Sequence, residues 1–185
     1  MEYSFNVLLT DQDYYEFNKF VTFQSRHGKK EIKKMRLYLV VLFAVLALLF
    51  LVLEHFSMNG VYSAVGYLVG LLIAQALFKP LMHLILKMQI KMLKKGGKMP
   101  YSPQAEMTFT EEGFSEFTSE HKTEQIYTAV ECVSVVEGVA IYVHINKLMG
   151  FLLPEKVFES KQQLDEFITF LKTKVTTVDF YPIKK

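Results

Sequence analysis

Apolar positions divide the chain into three regimes. Seventeen apolar residues run without interruption from Leu37 to Leu53. After EHFSMNG, a second run extends from Val61 to Phe78 with Ser63 and Gln75 as its main polar side chains. A bilayer core about 30 Å thick needs roughly 20 helical residues, and about 17 is the lower end. The two runs therefore predict membrane-spanning helices over about 37–55 and 61–79. Pro80 predicts a kink, after which the helical period resumes. Leu81, Leu84, Ile85, Met88 and Met92 share one side, and Lys87, Lys91, Lys94, Lys95 and Lys98 gather on the other. That pattern predicts a basic amphipathic helix lying at a membrane surface. Gly96-Gly97 and Pro100-Tyr101-Ser102-Pro103 then end it, making 81–103 a helix and linker.

From Ala105 the period changes to two. Met107 and Phe109 alternate with polar residues, the turn Glu111-Glu112-Gly113 leads to a strand through Phe117, and a third strand is expected near Lys122–Tyr127. Val130–Val136 and Val139–Ile145 form the clearest pair, joined by a two-residue Glu137-Gly138 turn. Leu148–Leu153 is the last strand of this series. Ser160 then starts a helix with Gln163 at the capping-box position, and Leu164, Phe167, Ile168, Leu171 and Val175 form its apolar face. The expectation over 104–176 is an α+β domain of about six antiparallel strands with a helix on one side or end, and 177–185 is read as a tail. In 1–36, Tyr3, Phe5, Val7 and Leu9 alternate as a strand, and Thr10 to Gln24 reads as a helix capped by Thr10 or Asp11. A lone amphipathic strand needs a sheet, so Tyr3–Leu9 is expected to join or pack on the C-terminal one.

Composition and charge sharpen this outline. Of 185 residues, 51% are hydrophobic and 22% charged, which excludes intrinsic disorder. Cys132 is the single cysteine and cannot make an intrachain disulfide, which excludes a stapled secreted scaffold. The net charge of +2 hides segregation. Residues 37–78 carry only Glu54, 79–103 carry six lysines and no acid, and 104–185 carry thirteen acids against eight bases. Arg26, Lys29, Lys30, Lys33, Lys34 and Arg36 precede the first run, whereas the connecting turn has no Lys or Arg. Basic flanks stay on the cytoplasmic side, so the reading is a membrane α-helical hairpin with both termini cytoplasmic. MEYSFNVLL lacks the features of a cleavable signal, which leaves the first helix as the targeting segment. Gly66, Gly70 and Ala74 repeat at four-residue spacing in the second helix, a face that suits close helix packing. It either meets the first helix of the same hairpin or forms a homodimer seam.

Taken in order, the strand–helix start, the two membrane helices, the basic connector and the sheet-plus-helix domain resemble the bacterial YcxB-like membrane proteins. The stretches carrying the likeness are TFTEEGF (Thr108–Phe114), ECVSVVEGVAIYVHI, FLLPEKVF (Phe151–Phe158) and LDEFITFLK. The resemblance implies a pleckstrin-homology-like C-terminal sheet or barrel. It brings no established enzymatic activity and no functional residues.

Motifs for chemistry are sparse. His27, His55, His83, His121 and His144 are scattered and match no metal-ligand spacing. His144 is expected to face outward on its strand, and Cys132 is expected to be a buried thiol. No Walker loop, GxSxG or HExxH occurs, and Glu111, Glu112 and Glu116 read as a charged hairpin. Asp11–Asp13 lack the rest of a calcium loop and suit helix capping. The basic stretch has no interleaved aromatics, which disfavours nucleic acid. The reading is a non-catalytic bacterial inner-membrane protein without cofactor or metal. It presents a pleckstrin-like domain to a protein partner or to anionic headgroups, with Lys87, Lys91, Lys94, Lys95 and Lys98 facing lipid. The alternative is a homo-oligomeric channel- or transporter-like assembly through Gly66, Gly70 and Ala74.

Overall fold

A computed structural model describes residues 2–97, 101–146 and 150–182, so Lys98 of the basic set lies outside the described residues. The chain divides into two compact units, Met1–Phe17 with Gly96–Lys185, and Asn18–Lys95.

Among the described residues the first unit is built on eight strands. β1 (Tyr3–Leu8), β2 (Gln104–Phe109), β3 (Gly113–Thr118) and β4 (Lys122–Ile126) form one antiparallel sheet in that order. As expected from its alternation, β1 joins the C-terminal chain, with Phe5 opposite Met107 and Val7 opposite Ala105. The second sheet has the order β7 (Gly150–Pro154), β6 (Ala140–His144), β5 (Cys132–Val136), β8 (Val178–Tyr181). Its last pair corrects the sequence reading twice. Segment 177–185 is not simply a tail, because Val178–Tyr181 pairs with β5, and the pairing is parallel. The β5–β6 loop also has three residues rather than two, since Val136 pairs with Ala140. Gly138 adopts φ +70° there, the left-handed conformation that glycine accepts without strain.

The core lies between the two sheets and α4 (Lys161–Lys174). Ser160 accepts from Gln163 N–H (3.1 Å) and starts α4 as anticipated, while the Gln163 side chain reaches back to Glu159 N–H (2.7 Å). Phe167 is wholly buried, with the Phe109, Phe5 and Tyr3 rings at 4.9, 5.0 and 5.2 Å. Each such side chain withdrawn from water contributes about 1.5–3 kcal/mol. The second sheet buries both faces. Val133, Ile141, Val143 and Leu153 point into the core, while Ser134, Tyr142 and Leu152 on the opposite face are also buried. Double burial explains why CVSVV and AIYVH read as continuous rather than alternating apolar runs. On that outer face the Phe17 ring stands 5.2 Å from the Tyr142 ring.

The helix α1 (Asp11–Phe23) begins at Thr10. Thr10 Oγ1 accepts from Asp13 N–H (3.2 Å) and Asp13 accepts from Thr10 N–H (2.8 Å), a capping box that gives Asp13 its role.

The second unit holds α2 (Arg26–Leu53) and α3 (Met58–Lys95). Ser25 caps α2 by accepting from Gly28 N–H (2.9 Å), so the basic flank is itself helical. A Cβ at position 28 would strike the carbonyl oxygens of Val21 and Thr22, which explains glycine there. The α2–α3 turn donates Phe56 N–H to Leu51 O (2.9 Å) and His55 N–H to Val52 O (3.0 Å), a Schellman closure with His55 at φ +47°. Pro80 sits inside α3, which continues through it as one helix of 38 residues. At 1.5 Å per residue α3 is about 57 Å long, longer than the hydrocarbon core.

Candidate functional site

Within the hairpin the antiparallel register is fixed by side chains. Gln75 Nε2 donates to Arg36 O (3.2 Å), giving this polar side chain of the second run a partner within the hairpin. The Arg36 guanidinium stands over the Phe78 ring at 5.3 Å, and the Phe50 and Tyr67 rings meet at 5.2 Å. This register separates the small residues. A Cβ at Gly70 would lie 3.1 Å from Phe43 Cε1, so Gly70 faces α2, whereas Gly66 opens onto empty space. Ala74 is half-buried.

The two helices are long and apolar enough to cross a membrane, with mean hydropathies of 2.8 and 1.8 over their most apolar windows. Only 6% and 11% of those windows are buried. Leu42, Leu49, Leu68 and Leu72 all stand exposed. In water each would forgo most of the 1.5–3 kcal/mol that burial of such a side chain contributes. Beyond the second run, Lys87, Lys91, Lys94 and Lys95 are exposed on the last turns of α3. The apolar stripe Leu81, Leu84, Ile85, Met88, Met92 is also exposed. The helix packs instead through buried Phe78 and Leu86, with Met82 and Ile90 half-buried on the same side. That face went unread in the sequence, although Phe78, Met82, Leu86 and Ile90 recur at four-residue spacing.

In the folded domain several titratable groups are shifted by their surroundings. Glu116 departs from the reading of a charged hairpin: it alternates with exposed Phe117 onto the inner face of the first sheet. Burial raises its carboxyl above the usual range, opposed by His121, whose Nε2 is 4.0 Å away. Thr118, buried, lies 3.2 Å from His121 Nδ1. The Thr118 hydroxyl also accepts from the Glu120 and His121 N–H groups and donates to His121 O (3.0 Å). Those bonds occupy the hydroxyl in closing the β3–β4 turn, which leaves it poorly placed to attack anything.

His144 points away from the core, as expected, but its face of the second sheet is itself covered. Its Nε2 is 3.1 Å from Ser134 Oγ, and its ring stacks on Phe17 at 6.4 Å. Burial lowers its pKa, and Glu131 opposes the shift. Tyr142 next to it is pushed up by burial and then by Glu16 and Asp13. Cys132 is half-buried rather than buried. Burial acts to raise the Asp13 carboxyl, but bonds from Lys156 (2.7 Å) and Thr10 outweigh it and leave the pKa lowered. Tyr101 donates to Asp11 (2.8 Å) and is pushed up to about 12 by burial and that carboxylate. Among the described residues no group of three or more His, Cys, Asp or Glu converges to hold a metal. An open depression of about 410 Å³ lies beside β4, lined partly by Glu112, Ser115, Glu124 and Ile126.

In comparisons with known proteins, no family model, curated protein or solved structure matches this chain.

Proposed function

We propose that this chain is a bacterial YcxB-like membrane protein, a two-helix hairpin that holds a non-catalytic binding domain of pleckstrin-like build at the cytoplasmic face of the inner membrane. The observation that carries the reading is the pairing of β1 with β2. The strand before the first long helix and the strand after the second belong to one folded domain. A chain crossing the bilayer between them must return to the side it left. The basic residues of α2 and α3 supply an independent reason for that side to be cytoplasmic. Two four-stranded sheets with a helix support the pleckstrin-like assignment, and the parallel β5–β8 pair is a departure from an all-antiparallel barrel. Lys87, Lys91, Lys94 and Lys95 remain the residues for anionic headgroups, each contributing about 1 kcal/mol near a charged surface.

The test is sided labelling of the full chain carrying Cys132→Ser and one new cysteine. Phe56→Cys, in the exposed turn, should react with an impermeant maleimide on intact cells. Leu8→Cys and Phe117→Cys should react only after permeabilisation. Labelling of position 8 or 117 from outside would overturn the topology.

The alternative assembly reading retains one favourable observation, the open space at Gly66. Gly66→Leu should then abolish self-association in micelles. Gly70→Leu tests something else, because it collides with Phe43 of the same chain.

A further inference from the structure

Among the described residues β4 is the last strand of its sheet, and its burial alternates, leaving Lys122, Glu124 and Ile126 exposed. The direction of its main chain follows from the adjoining turns. Thr118 N–H donates to His121 O (2.9 Å) and Thr110 N–H to Gly113 O (2.8 Å). Carried along the ladder, this alternation bonds Gln125 to Phe114 and Thr123 to Glu116. The N–H and C=O groups of Lys122, Glu124 and Ile126 then point away from β3. Five residues give an edge about 17 Å long, and such an edge is a template for another strand. The opposite edge is not equivalent, because β1 contacts the turn Glu155–Val157.

Chemistry beside the edge specifies what could add to it. The depression presents the carboxylates of Glu112 and Glu124 with the hydroxyls of Thr108 and Ser115, and among the described residues no Lys or Arg lines it. Neighbouring Glu111 is already engaged by Lys174. Glu124 is met by Lys122 at 2.6 Å, but that pair is 71% and 57% exposed, so an incoming cation can exchange with it. Ile126 and Phe117 stand exposed on the same face of the sheet, suited to cover the aliphatic stems of long basic side chains.

We propose that β4 and this depression bind an extended basic segment of a partner protein. The segment adds to the sheet as a fifth strand and sets alternate Lys or Arg side chains against Glu112 and Glu124. The inference rests on the adaptor reading and names its docking surface.

The test uses the full chain in phosphatidylcholine nanodiscs and a fluorescent nine-residue peptide of alternating lysine and valine. Saturable binding is expected, weakened at least tenfold by Glu112→Lys with Glu124→Lys. Glu159→Lys with Glu166→Lys, at exposed acids on the α4 side, should change it less than twofold. Methylating alternate peptide nitrogens should also cost at least tenfold, which charge attraction alone would not produce. Absent saturation, equal binding of a glutamate–valine peptide, equal sensitivity to the α4 pair, or indifference to N-methylation would each overturn the proposal. Photoreactive residues at positions 126 and 162 in cells separate the two readings. Partner capture at 162 with none at 126 discards the edge and keeps the adaptor, whereas silence at both discards the adaptor.

Discussion

Leu72 in α3 is 70% exposed, while Leu153 in β7 is fully buried. The same side chain is outside in one unit and inside in the other, a difference that the proposed membrane reading explains by giving the two units different solvents. In the domain, apolar residues meet each other, with Phe5, Phe109, Phe158 and Phe167 in mutual ring contact. In the hairpin, the inner seam holds small, aromatic and polar residues, Ala47, Gly70, Phe43 and Gln75, and the large aliphatics face out. Lipid tails are as apolar as leucine, so nothing drives leucine to the seam, and close fit decides what sits there. The domain obtains its stability by excluding water. On the proposed membrane reading, the hairpin obtains its own from backbone satisfaction and packing within a medium that already suits its surface.

Truncation of a large apolar side chain to alanine should therefore have unequal consequences in the two regions. The largest effect is expected for Phe167→Ala, which removes the centre of the aromatic cluster and should cost the domain about 3–5 kcal/mol. Denaturant unfolding in micelles followed by near-ultraviolet circular dichroism would measure it. Leu72→Ala should leave that transition unmoved. If the two lost comparable stability, the contrast between inside and outside would be wrong.

A charge sharpens the comparison from the other side. Val45→Lys places an ammonium on an exposed face of the first long run and should oppose membrane insertion by about 2.5–3.5 kcal/mol. A glycosylation-based insertion assay reads that loss. A similarly exposed site in the domain, Phe117→Lys, should be tolerated within about 0.5 kcal/mol of unfolding free energy.

Smaller effects probe the capping and titration of the domain alone. Thr10→Ala deletes the hydroxyl of the capping box and should cost about 0.5–2 kcal/mol, measured by the same unfolding transition. The pH effect follows from His144. Its folded pKa lies below the ordinary value because burial disfavours the charged ring. The unfolded chain thus binds more protons than the folded one as pH falls through the ordinary value near 6.5. The stabilisation is fully present above that value and is lost as pH drops toward the folded pKa. A denaturation midpoint that falls from pH 7.5 to 5.5 is expected, with His144→Gln flattening the fall. No change in slope would show that folded and unfolded chains bind the proton at His144 equally well.

Much of this layout was legible in the chain itself. Uninterrupted apolarity from Leu37 and Val61 marked the two long helices, because no short-range pattern competes with a run of that length. Alternation marked β1, β2 and β3, and the Ser160–Gln163 spacing marked the start of α4, because caps and pleats are local. The same locality accounts for Thr10 and Asp13, which explain each other within one turn. Less legible were the features that depend on partners distant in sequence. VDFY carries only four residues of weak alternation, and nothing in it announces that it will lie parallel to β5. Glu116 looked like a hairpin charge, and His121 like a scattered histidine, until the inner face of the sheet was defined. The depression beside β4 joins residues of three strands, so no motif could have shown it.

Composition and period by themselves determined which segments could tolerate hydrocarbon, where charge gathers and where helices and strands begin, since each depends on neighbours a few residues away. Only the tertiary structure decided which glycine packs against Phe43 and which stays open, that β8 closes the second sheet, and that β4 is left as an edge. Those outcomes depend on which surfaces the fold brings together, and a surface has no address in the order of residues.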